Sequence, residues 1–109
     1  MTMVARRPTL CAAATGALLL VAAPAPAAAA THVVTIDKMK YGAVPPLKTG
    51  DTVVFVNKDI FRHTVTSSNN RFNLDLMPGK RGTLHINSAG RATFYCKYHP
   101  GMRGSMIAK

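Results

Sequence analysis

The sequence predicts an all-β fold, a Greek-key β-sandwich, and three observations carry that prediction. No window after Thr31 sustains a helical period of apolar residues. Short runs rich in Val, Ile, Thr, Phe and Tyr recur instead, as in His32-Val33-Val34-Thr35-Ile36 and Thr52-Val53-Val54-Phe55-Val56. Turn pairs punctuate the chain, among them Gly50-Asp51, Pro78-Gly79 and Ala89-Gly90, and short strands interrupted this often fold as two packed sheets.

Residues 1–30 stand apart from this pattern. Arg6 and Arg7 precede an apolar run from Leu10 to Ala23, and the small residues Ala27 to Ala30 lead into Thr31. This is the layout of an export signal cut after Ala29 or Ala30, and both the twin-arginine and the general secretory route fit it. The run is alanine-rich and broken by Pro24 and Pro26, so no membrane span is expected after processing. Cys11 lies ahead of the apolar run, which argues against lipid attachment there. Residues 31–109 suffice for one domain whose single core is marginal, and a bound metal would help to hold it.

In order, the strand from His32 opens the domain, and Val44-Pro45-Pro46-Leu47 reads as an edge segment because proline cannot donate to a ladder. The apolar run Thr52 to Val56 is expected to be buried on both faces. In Arg62-His63-Thr64-Val65-Thr66, alternation places His63 and Val65 on one face and the two threonines on the other. A polar loop, Ser67 to Arg71, follows. From Thr83 to Asn87, Leu84 and Ile86 face inward and His85 faces water. From Arg91 to Cys96, the residues Ala92, Phe94 and Cys96 share the inward face, which aims the thiol at the end of the sandwich where His63 can meet it. Ser105 to Lys109 forms the last strand.

The chemistry is concentrated in Phe94-Tyr95-Cys96-Lys97-Tyr98-His99-Pro100-Gly101-Met102, a C-x2-H-x2-M spacing in a turn after a strand. Thiolate and thioether favour Cu(I), imidazole serves either oxidation state, and neither magnesium nor calcium selects these donors. His63 supplies a fourth ligand, completing a trigonal set of His63, Cys96 and His99 with Met102 axial. Met106 is the rival axial ligand, but it falls in the last strand. Structural zinc wants four Cys or His ligands, whereas a single cysteine remains once the leader is removed. A thiol enzyme built on Cys96 and His99 would need a further polar group to orient the histidine, and no residue is placed to do so. His32 offers a separate possibility: cleavage after Ala29 would leave Ala30-Thr31-His32 as a terminal tripeptide able to wrap Cu(II) or Ni(II).

From Thr31 onward the chain resembles the cupredoxins, the small blue copper proteins, and among them the amicyanin-like group with its short ligand loop. The matching residues are Val56-Asn57-Lys58-Asp59, His63-Thr64-Val65-Thr66-Ser67, Met77-Pro78-Gly79, Ala89-Gly90 and Phe94 to Gly104. The resemblance implies a type 1 copper protein that carries one electron between redox partners and transforms no substrate. It also implies that electrons pass through His99 under an apolar rim formed by Pro100, Phe61 and Met77. The partner would be a dehydrogenase, cytochrome or oxidase, and the protein a monomer. A copper-delivery protein with the same ligands is the alternative. Relatives often carry Asn where this chain has Thr64, and aromatics where it has Gly82 and Ala92, so a looser sandwich is expected.

Without Arg6 and Arg7 the chain retains 12 of its 14 basic residues against four acids, a formal +8 with neutral histidines. Nucleic acid is not expected as a partner, because the export signal implies a periplasmic or secreted protein and the cations are scattered without interleaved aromatics. An acidic protein partner is expected instead. Cys96 cannot form an intrachain disulfide once the leader is gone, and copper would protect a lone thiol in an oxidising compartment.

Overall fold

A computed structural model describes residues 28–109 together with Met3 and Gly16, so the export signal read over residues 1–30 lies almost wholly outside the described residues. Among the described residues there is no helix, hence none long and apolar enough to cross a membrane.

Among the described residues, eight strands form two four-stranded sheets. The first sheet has the order β2-β1-β3-β6, from β1 (Thr31–Asp37), β2 (Lys40–Tyr41), β3 (Thr52–Asn57) and β6 (Arg81–His85). The second has the order β5-β4-β7-β8, from β4 (His63–Ser67), β5 (Asn73–Leu76), β7 (Gly90–Tyr95) and β8 (Arg103–Ala108). The β1–β3 pair is parallel, with Thr31 opposite Thr52, and the connections after β3, β5 and β6 each pass from one sheet to the other.

The apolar alternation in the sequence accounts for the core. Val34 and Ile36 of β1, Val53 and Phe55 of β3, Val65 of β4, and Phe94 of β7 are all buried between the sheets. The Phe94 ring meets Phe55 and Tyr41 edge-on, with centroids 5.7 and 4.8 Å away. It also closes on β8 at its register partner Gly104, where a Cβ would fall 2.4 Å from the ring. Leu84 and Ile86 face inward and His85 outward, as alternation predicts.

Several expectations are corrected. The run from Thr52 to Val56 alternates between half-buried and buried, so β3 is covered on one face only, the outer face of its sheet remaining open to solvent. Strand β4 is instead buried throughout: Thr66 Oγ1 lies 2.6 Å from Asn73 Oδ1 and 2.9 Å from Thr64 Oγ1, so the hydroxyls on its second face have partners within the fold. The proline segment makes only an isolated bridge, Leu47 to Ala108. Two strands carried no sequence signal. The β1–β2 turn is made by Lys38 and Met39 at φ 51° and 61°, left-handed positions usually filled by Gly, Asn or Asp. Strand β5 mixes polar and apolar residues and follows a polar loop. Gly82 leaves no gap, since a Cβ there would already press on Leu74 and Leu76 at 3.1–3.3 Å, and these leucines fill the space expected to be vacant.

Candidate metal centre

Three strands meet at one end of the sandwich, where β3, β4 and β7 place Asn57, His63 and Tyr95. His63 is fully buried at the start of β4, Cys96 is buried just past β7, and His99 is half-buried on the loop that follows. The loop is closed by two backbone bonds, Met102 N to His99 O and Cys96 N to Met102 O, both 3.1 Å.

One donor atom from each of His63, Cys96 and His99 lies within 4.8 Å of the other two. Cys96 Sγ is 3.8 Å from His63 Nδ1 and 3.5 Å from His99 Nδ1. Two ligands each about 2.0–2.3 Å from one ion, and about 120° apart, would stand about 3.7 Å from each other. The spacing and the soft donor set therefore fit a single copper. Met102 is buried at the end of the same loop, whereas Met106 lines a cavity of about 390 Å³ with Leu84, Ile86 and Ala92, away from the donors. The structure thus keeps Met102, and not Met106, beside the ligand loop.

The supports of this cluster come from the chain itself. His63 Nε2 lies 2.7 Å from Asp59 Oδ2, so the ring donates to the carboxylate and turns its other nitrogen, Nδ1, toward Cys96. Asp59 is fixed in turn by amide bonds from Met39 and Ile60, which with His63 hold its carboxyl below the usual carboxylate range, Met39 having the largest effect. Asn57, fully buried, accepts from Asp59 N and donates to the carbonyls of Phe61 and Leu76, tying the approach to His63 onto β5. The backbone amide of Thr64 points at Cys96 Sγ at 3.3 Å. Its hydroxyl accepts from Lys97 N at 2.9 Å, and its carbonyl accepts from the Tyr41 hydroxyl, whose pKa is raised chiefly by burial. Thr64 therefore does fasten strand to loop, within the shorter reach expected of it. The role of Asp59 was missed from sequence, although an acid four residues before a ligand histidine is a usable signal.

On the outside, the Phe61 ring lies edge-on to His99 at 5.8 Å, and Phe61, Met77 and Pro100 are exposed as the rim predicts. Ile60, the neighbour of Phe61 along the chain, is 80% exposed and adds a further apolar side chain to this surface that the sequence did not single out. Next to it, Arg62 grips Asp75 through two nitrogens at 2.6 and 2.8 Å and lies over the Tyr98 ring, whose hydroxyl also donates to Asp75.

Comparison with known proteins agrees with this geometry. The family model described as a cupredoxin-like domain matches residues 10–108. Amicyanin of Paracoccus versutus is 35% identical over 85 residues, which covers 71% of this chain and 64% of that protein, so the chain spans under two thirds of its curated relative. The crystal structure of amicyanin from the same organism superposes with a TM-score of 0.63 at 29% identity, covering 79% of this chain and 86% of the other. An oxidized amicyanin variant gives 0.62 at 30%, covering 72% and 81%. With a two-sheet fold, a soft donor cluster spaced for one ion and a family match over nearly its whole length, the chain belongs to the cupredoxin-like family and its metal is copper.

Proposed function

We propose that this chain is an exported one-electron carrier in which His63, Cys96 and His99 would hold the copper, with Met102 as a fourth ligand. The observation that carries the reading is that the three donors converge within 4.8 Å in the protein's own fold, held by Asp59, Asn57 and Thr64. When bound, the copper supplies the one-electron change between Cu(I) and Cu(II). The residues supply a cage that changes little between those states: Asp59 sets the His63 ring, the Thr64 amide points at the Cys96 sulfur, and the short loop carries His99 to the surface.

Phe61 packs edge-on against His99, and it is exposed together with Ile60, Met77 and Pro100, apolar residues that suit a partner docking face to face. Twelve cations between Thr31 and Lys109 favour an acidic redox protein, a dehydrogenase, cytochrome or oxidase, over nucleic acid. Residues 1–30 are read as the export signal and residues 31–109 as the working domain, a monomer in the periplasm or outside the cell.

Titration with Cu(II), followed by visible absorption, tests the proposal. An intense thiolate charge-transfer band that persists through cycles of reduction and reoxidation is expected. A protein that stays nearly colourless, prefers Cu(I) and yields it to a competing chelator would be a delivery protein instead.

A further inference from the structure

Asp51 sits at the other end of β3 from the copper donors, its carboxylate buried and its residue 3% exposed. Oδ1 accepts a hydrogen bond from Ala30 N at 2.9 Å. Oδ2 accepts from Lys48 N at 2.9 Å and lies 2.9 Å from His32 Nε2. Among the described residues, neither lysine nor arginine forms an ion pair with Asp51, and His32 is its one ionisable partner. A buried carboxylate surrounded by amides and a single imidazole is short of positive charge.

The nitrogen on Oδ1 belongs to the residue at which one of the two candidate cleavages would create a free amine. Cutting after Ala29 would turn Ala30 N into an ammonium already in place on Asp51, so that a hydrogen bond charged only on its acceptor becomes an ion pair charged on both sides. Cutting after Ala30 would remove that bond, and with it the 2.9 Å bond from Thr52 N to Ala30 O that extends the β1–β3 pairing.

We propose that Asp51 is a built-in site for the α-ammonium of a mature chain that begins at Ala30, and that the Ala29–Ala30 bond is the processing site. Ala28, Ala29 and Ala30 are exposed and precede β1, so the bond is reachable, and Ala27 and Ala29 are small residues at the positions such a cut needs. The same geometry removes His32 as a terminal copper or nickel site. Wrapping a metal there would strip His32 and Ala30 from Asp51 and pull Thr31 and His32 out of the pairing with β3.

The position of the cut rests on the export reading, whereas binding of the ammonium is independent of it and of the copper reading. Two measurements therefore test the proposal. The full chain, exported from a bacterial host, is expected to yield an intact mass for Ala30–Lys109; a mature protein starting elsewhere overturns the processing site. In the second, copper-loaded protein made to begin at Ala30 is compared with its free and its acetylated terminal amine. The free form is expected to melt higher by on the order of 4–8 °C, and Asp51→Asn to erase the difference. Equal melting of the two forms overturns the ammonium site, and this comparison decides alone should Asp51→Asn fail to fold.

Discussion

His63 and Asp59 form a histidine–carboxylate pair closed inside one short loop: Nε2 and Oδ2 are 2.7 Å apart, the imidazole is fully buried, and the two residues stand four positions apart in the chain. The pair selects the tautomer that presents Nδ1 to the donor cluster. Removing the carboxylate should therefore weaken metal binding without unfolding the chain. Asp59→Ala is expected to lower copper affinity by about 10–100-fold, measured by competition with a chromophoric Cu(I) chelator, while circular dichroism of the apo form stays unchanged.

Cys96 is the only sulfur anion available to the cluster among the described residues. Cys96→Ser should abolish the visible charge-transfer band, because serine offers no soft anionic donor, yet leave the apo sandwich folded. A retained band would show that Cys96 is not a ligand.

Gly104 lets Phe94 approach β8 closely, since a Cβ there would stand 2.4 Å from two atoms of the Phe94 ring. Phe94 is pinned between Phe55 and Tyr41 and cannot retreat. Gly104→Ala should cost about 1–3 kcal/mol of stability by overpacking, read from the urea midpoint at an unchanged slope.

Acid should loosen the end of the sandwich at Asp51. Hydrogen bonds from the Ala30 and Lys48 amides, with His32, lower its carboxyl to about 2, against about 3.9 in an unfolded chain. A carboxyl depressed on folding contributes its stability fully above the unfolded value and loses it as pH falls through the folded one. The stability of the apo protein should thus decline between about pH 4 and pH 2, and Asp51→Asn should flatten part of that slope. Asp59 and Asp75, also lowered, supply the remainder.

Electron transfer to an acidic partner should slow as salt rises, because charges separated by more than a Debye length of about 8 Å at physiological ionic strength are screened. Stopped-flow rates over a salt series test this. Rates indifferent to salt would assign docking to the apolar rim of Phe61, Ile60 and Met77.

What the sequence by itself determined was whatever depends on neighbours along the chain. Alternation in β6 and β7 placed Leu84 and Phe94 inward, and the C-x2-H-x2-M spacing put Cys96 and His99 on one loop, because a strand's pleat and a tight turn are set over a few residues. Only the tertiary structure decided which distant groups complete the arrangement. That Asp59 turns the His63 ring, that the Thr64 amide reaches a sulfur 32 positions away, and that Leu74 and Leu76 fill the space over Gly82 all depend on pairing between strands remote in sequence. The same holds for β2 and β5, whose residues have little strand preference and are held extended by β1 and β4. β3 reads as buried on both faces but has solvent beyond one of them, since which face of a strand is covered depends on what the rest of the chain packs against it.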